Sequence, residues 1–139
     1  MKRKIRIIFC ICSLTVIVFA LLSAVRSLRP SRGKPYERIS VQEAIDYMSY
    51  ESVYCIVDVR DKAEYDRRHV AGARSLPCDE IVESADEVIP DRHVMLYVYG
   101  SDSDQSCAAA QKLSDIGFTS VTETGSLEAW MNLEEETNQ

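Results

Sequence analysis

No Cys-x-x-Cys pair occurs in the 139 residues. That absence weakens both a zinc site and a thioredoxin-like redox centre. The five cysteines stand at positions 10, 12, 55, 78 and 107. Cys10 and Cys12 lie in an apolar run, where cysteine serves as a small apolar residue, and no Leu/Ala-Gly-Cys lipidation pattern surrounds either. The remaining three are an odd number, which does not suggest a disulfide framework, although one pair stays open. Acidic residues are missing altogether from positions 1–30, which carry Lys2, Arg3, Lys4, Arg6, Arg26 and Arg29. Residues 31–139 hold 10 basic and all 22 acidic residues, a net charge of −12. A phosphate backbone would be repelled by that body, so no nucleic-acid partner is expected. Length allows one domain, not two.

Charge is also missing from Ile7–Val25, a run of 19 residues bracketed by Lys4/Arg6 and Arg26/Arg29. About 20 apolar residues cross a bilayer core as a helix. Residues 5–25 are therefore expected to form one N-terminal transmembrane helix and to make the membrane a partner. The alternative is a secretory signal peptide with an apolar region of about 7–15 residues. Val18-Phe19-Ala20 and Leu22-Ser23-Ala24 would be its cleavage sites, and the product would be secreted. The longer run favours a retained single-pass anchor, in residues 1–27. The flanking cations are nearly balanced. A short basic head followed by an apolar run is the signal-anchor arrangement, which places the domain outside the cytoplasm.

Residues 28–36 read as a linker with two prolines, one glycine and three cations. Ile39 opens the domain as a short strand. Ser40 and Glu43 are spaced as a capping box, and Val41, Ala44, Ile45 and Met48 follow at helical spacing. Val53–Val59 reads as a strand buried on both faces, ending at Asp58 and Arg60. Asp58 is expected to be a buried carboxylate with a nearby partner. Asp61–Arg68 reads as a charged helix anchored by Tyr65. His69 fits a structural hydrogen-bonding role and Gly72 a turn. Arg74–Pro77 reads as a strand and Asp79–Val88 as a helix. Val94–Tyr99 is an apolar core strand, Gly100–Asp104 a turn, and Ser106–Leu113 a helix. Ser120–Thr122 is a last strand, Gly125 starts a turn into a terminal helix, and Trp130 packs on the core. Residues 133–139 form an acidic tail. Alternating strands and helices give a parallel sheet with helices on both faces.

Ile56–Tyr65, His69–Ala73, Tyr97–Ser106 with Ala109, Ala110 and Leu113, Gly117–Val121 and Gly125…Trp130 occur in an order and spacing that resembles a single rhodanese-like domain. The resemblance covers roughly residues 36–132 and implies a domain at residues 37–132. It implies a three-layer α/β/α fold with a five-stranded parallel sheet. It makes Asp58, Arg60, His69 and Gly72 motif residues and Gly100, Ser101, Asp102, Ser103, Asp104, Gln105 and Ser106 the equivalents of the active-site loop. Active members are sulfurtransferases that carry sulfur as a persulfide on a loop cysteine, within Cys-x-x-Gly-x-Arg-Ser. Laid without gaps, that pattern puts Gly100 at the cysteine, Ser103 at the glycine, Gln105 at the arginine and Ser106 at the serine. No cysteine lies between Val94 and Ser106. Glycine offers no nucleophile, and Gln105 offers no cation. Asp102 and Asp104 add negative charge to an anion cradle. Like charges at about 4–5 Å cost about 1 kcal/mol even in water, against about half a unit of positive charge from the helix dipole.

Asp104 or Ser103 is expected as the helix N-cap and Asp102 as a solvated acid. Two such carboxylates fall short of the six to eight oxygens that calcium takes, so neither metal nor cofactor is expected. Cys107, in the first turn of the helix, is the best replacement thiol. Cys55 is read as a packing residue, and Cys78 as exposed without a basic neighbour. No cysteine has an arginine after five intervening residues, which removes the related phosphatase chemistry. The expectation is a binding or regulatory module with no catalytic residue. The alternative is a residual sulfurtransferase working through a non-standard cysteine such as Cys107.

Overall fold

A computed structural model of the chain describes residues 36–137, with side chains described through Leu133. The expected membrane segment, the linker through residue 35 and the last two residues lie outside the described residues. Among the described residues no helix is long and apolar enough to cross a membrane.

The elements alternate. Strand β1 (Glu37–Arg38) is followed by helix α1 (Val41–Tyr50), β2 (Tyr54–Asp58), α2 (Lys62–Arg67), β3 (Arg74–Ser75) and α3 (Ile81–Val88). Then come β4 (Met95–Gly100), α4 (Ser103–Asp115), β5 (Val121–Ser126) and α5 (Leu127–Thr137). The five strands form one sheet in the order β1-β5-β4-β2-β3, and all pairs are parallel. The expected five-stranded parallel α/β architecture is therefore present.

Period-two alternation divides the core. Cys55, Val57 and Val59 of the β2 segment and Leu96 and Val98 of β4 face α3 and α4, where they meet Ile81, Ala85, Ala109, Ala110 and Leu113. Ile56, Tyr97 and Tyr99 face the other way, towards Val41 and Ala44 of α1 and Trp130 and Met131 of α5. Continuous apolar strands with both faces covered are what a parallel sheet requires. The capping box at α1 is closed: Ser40 Oγ accepts from the Glu43 N–H at 3.2 Å, and Glu43 Oε2 accepts from the Ser40 N–H at 2.8 Å.

Several boundaries differ from the sequence reading. The first strand is Glu37–Arg38, before Ile39, because it pairs with Thr122 and Glu123. The third is only Arg74–Ser75, although Leu76 and Cys78 still donate their N–H groups to Asp58 O and Val59 O of the same neighbouring segment. The last extends to Ser126 and enters α5 without a loop. Gly125, at φ +88°, permits that passage. Helix α4 starts at Ser103 rather than Ser106, for a reason found in its cap.

Candidate functional site

The C-terminal ends of parallel strands are where an open α/β sheet offers its sites. Here β4 ends at Gly100, two residues before the N-cap of α4. That cap is Asp102, whose Oδ1 accepts from the Gln105 N–H at 2.8 Å. This corrects the expectation of Ser103 or Asp104 as cap and of Asp102 as a merely solvated acid. The carboxylate three residues ahead of Gln105 meets a free N–H group of the first turn, and the helix begins earlier in consequence. Gln105 turns back, and its Oε1 accepts from the Ser101 N–H at 2.8 Å. A Cβ at Gly100 would lie 2.9 Å from that same Oε1, 3.1 Å from Ser106 N and 3.2 Å from Asp102 O. The space beside Gly100 is thus filled by the loop itself. Two loop N–H groups that could receive an anion are engaged by side chains of the same loop.

Ser106 is buried, and its single hydroxyl proton has two acceptors within reach, the Glu123 carboxylate and Ser103 O at 3.1 Å. Glu123 is 2% exposed. Its Oε1 accepts from the Gly125 N–H at 2.8 Å, and its Oε2 pairs with Arg38 Nε at 3.0 Å. The bond to Glu123 raises the Arg38 pKa further above its usual value. An open groove of about 540 Å³ lies alongside, and Arg38, Ser40, Ser103, Glu123 and Gly125 are among its lining residues. Sequence reasoning missed Glu123. Its only local mark is one acid between two threonines, which does not reveal the partners that reach it from elsewhere in the chain.

Asp58 and Arg60 stand at the neighbouring strand end. Asp58 is 0% exposed. Arg60 grips it with Nε at 3.0 Å from Oδ1 and a terminal nitrogen at 2.6 Å from Oδ2. The Arg60 backbone N–H and the Tyr99 hydroxyl, at 3.0 and 2.7 Å, complete the carboxylate's partners. The Tyr99 oxygen accepts from the Val70 N–H at 3.1 Å, and Arg60 also donates to Arg68 O at 2.6 Å. The network pins the segment between α2 and β3 to the sheet. Burial pushes the Tyr99 phenol pKa well up. The paired structural carboxylate expected at Asp58 is what the geometry shows. His69 is likewise engaged structurally: Nδ1 lies 2.8 Å from Tyr65 O, and its ring stacks on Tyr65 at 4.0 Å. Gly72 adopts φ +80° in the turn.

The three thiols described are free. Cys55 is buried, and desolvation raises its pKa, which suits packing. Cys107 is the fifth residue of α4, past the first turn in which the sequence reading placed it. The dipole effect fades beyond that turn. The Cys107 side chain lies near Tyr36 and raises the pKa of its phenol. Cys78 does have a basic neighbour, contrary to expectation: Lys112 Nζ is 3.5 Å from its sulfur and 2.7 Å from its carbonyl oxygen. Thirty-four residues separate the two, so the pairing had no local signature.

Comparison with known proteins agrees with this architecture. The chain is 35% identical over 71 residues to the thiosulfate sulfurtransferase PspE of Escherichia coli, covering 51% of this chain and 68% of that protein. It is 29% identical over 99 residues to the thiosulfate sulfurtransferase GlpE of Tolumonas auensis, covering 70% and 91%. Among solved structures, the rhodanese-like domain of the Alr3790 protein from Anabaena matches with a TM-score of 0.62 and 27% identity over 72% of this chain and 75% of that one. A rhodanese with anions from E. coli matches at 0.52 and 33%, over 55% and 89%. The rhodanese-like domain profile itself covers residues 40–133, and the chain belongs to the rhodanese-like domain family.

Proposed function

We propose that this chain is a membrane-anchored rhodanese-like domain that does not transfer sulfur and acts as a binding or regulatory module. One observation carries the reading: where the family pattern puts its cysteine, Gly100 has no side chain, and Gln105 Oε1 occupies the adjoining space. The relatives' names give thiosulfate as the substrate to test. A thiosulfate or persulfide anion needs free N–H donors and a positive field. Here Gln105 and Asp102 take up the donors, and Asp102 and Asp104 bring negative charge. Without a thiolate in the loop there is nothing to receive the sulfane sulfur. Purified full-length chain should show no thiosulfate:cyanide turnover above background. Turnover abolished by a single Cys→Ser change would overturn the proposal.

A second reading is residual sulfur transfer through another cysteine. The position of Lys112 Nζ, 3.5 Å from the Cys78 sulfur, is the observation that favours that thiol. Cys107 is the other candidate. Parallel assays of Cys78→Ser and Cys107→Ser separate the two.

The anchor is part of the proposal. Ile7–Val25 is uncharged and long enough to span, and the domain would sit outside the cytoplasm. Retention of the chain in membranes washed at alkaline pH, with an intact N-terminus by mass, is the expected result. A mature chain starting near Ala20 or Ala24 would instead support signal cleavage and secretion.

A further inference from the structure

The parallel sheet has two unlike ends. The β4–α4 loop occupies the C-terminal end. At the other end the strands start side by side: Tyr54 pairs with Met95, Leu96 with Val121, and Glu37 with Thr122. That end carries large apolar side chains left in solvent. Tyr50 is 89% exposed, Val53 69%, Tyr47 56% and Tyr54 41%. Three of the four lie within five consecutive residues, where α1 turns into β2. Tyr54 packs edge-on against Tyr97 at 6.0 Å, and Tyr47 and Tyr97 both line a small cavity of about 260 Å³.

Folding does not account for this exposure, because side chains left in water contribute no burial. Tyrosine rings with a polar tip suit a boundary that is apolar on one side and wet on the other, and tyrosine is enriched at bilayer interfaces. The course of the chain supplies the partner. Strand β1 begins at Glu37 on this same end, so the chain arrives there from its N-terminal segment. Eleven residues separate Val25, the last of the apolar run, from Glu37. Fully extended they span at most about 40 Å. Tethering on that scale gives a high effective concentration, so even a weak surface contact would be populated. Glu37 and Glu51 line the same small cavity.

We propose that the end of the domain bearing Tyr47, Tyr50, Val53 and Tyr54 rests on the lipid headgroup layer and leaves the β4–α4 loop facing away from the bilayer. This rests on the anchor reading above. The test uses full-length chain in phosphatidylcholine vesicles containing bromine-labelled acyl chains, which quench tryptophan on contact. Trp130 is buried and serves as a constant background. Tyr50→Trp should lose emission in these vesicles, and Ser101→Trp, at the opposite end, should not. Val53→Trp repeats the first measurement at a second exposed position. Retention of the chain after an alkaline wash with no quenching at 50 or 53 leaves the anchor standing and overturns the docking. Release of the chain by the wash overturns both. Cross-linking between copies at position 50, with no quenching, would make the patch a self-association surface and would also overturn the docking.

Discussion

Asp58 shows how one side chain can hold several segments. It sits at the end of a strand with no solvent contact, and its partners come from Arg60 and from Tyr99, 41 residues away. Arg60→Met removes the cation and leaves a buried carboxylate behind. The expected loss is about 3–5 kcal/mol, read from urea unfolding. Arg60→Lys should recover little of it, because an ammonium cannot reproduce the two-point grip. Ser114 presents the reverse case. Its hydroxyl is buried with no hydrogen-bond partner. Ser114→Ala should therefore stabilise the domain, by about 1 kcal/mol in the same assay. The Asp58–Arg60 pair was legible in sequence, since the residues are two apart at the end of an apolar run. Tyr99 was legible only as a core residue. Its hydroxyl contacts depend on strand register between β2 and β4, which no local pattern encodes. Glu123 was missed for the same reason, because Arg38 and Ser106 reach it from distant parts of the chain.

The helix α4 and the loop before it were largely legible as an element, yet not in the detail that matters most. Asp102 and Asp104 offer two acids two residues apart, and either could cap. Only Asp102 has Gln105 at the third following position, and the fold uses that spacing. The consequence is a loop closed on itself, and it sets the order in which changes should act. Gly100→Cys alone places a Cβ 2.9 Å from Gln105 Oε1 and leaves both acids in place. It should show no sulfurtransferase turnover. Combining it with Gln105→Arg and Asp104→Asn, and with Asp102→Ser so that an uncharged cap is kept, should raise thiosulfate turnover measurably above the single variant. Family-typical turnover by Gly100→Cys alone would refute the electrostatic argument. The thiols at this scale were only half readable. Cys107 was seen, but its place in the helix shifted once the true start was known. The lysine beside Cys78 comes from α4, 34 residues away in sequence.

Across the whole domain, alternation of apolar strands and helices was enough to anticipate a parallel sheet covered on both faces. The lengths of the outer strands were not, because pairing sets them. Two tyrosines of β4, Tyr97 and Tyr99, have pKa values raised chiefly by burial. A phenol that folding holds above its ordinary value of 10.0 keeps its proton longer in the folded state. Its contribution is complete below pH 10 and is lost as pH rises towards the folded value. Urea midpoints should therefore hold up to about pH 10 and fall above it, more steeply than in Tyr99→Phe measured against its own neutral-pH value.

The sheet ends in a two-residue strand on each side, Glu37–Arg38 and Arg74–Ser75. A long bare edge would invite another chain to add on by backbone pairing. These edges offer almost nothing to pair with, and each bears an arginine. Copies crowded together would therefore stay separate rather than polymerise sheet to sheet.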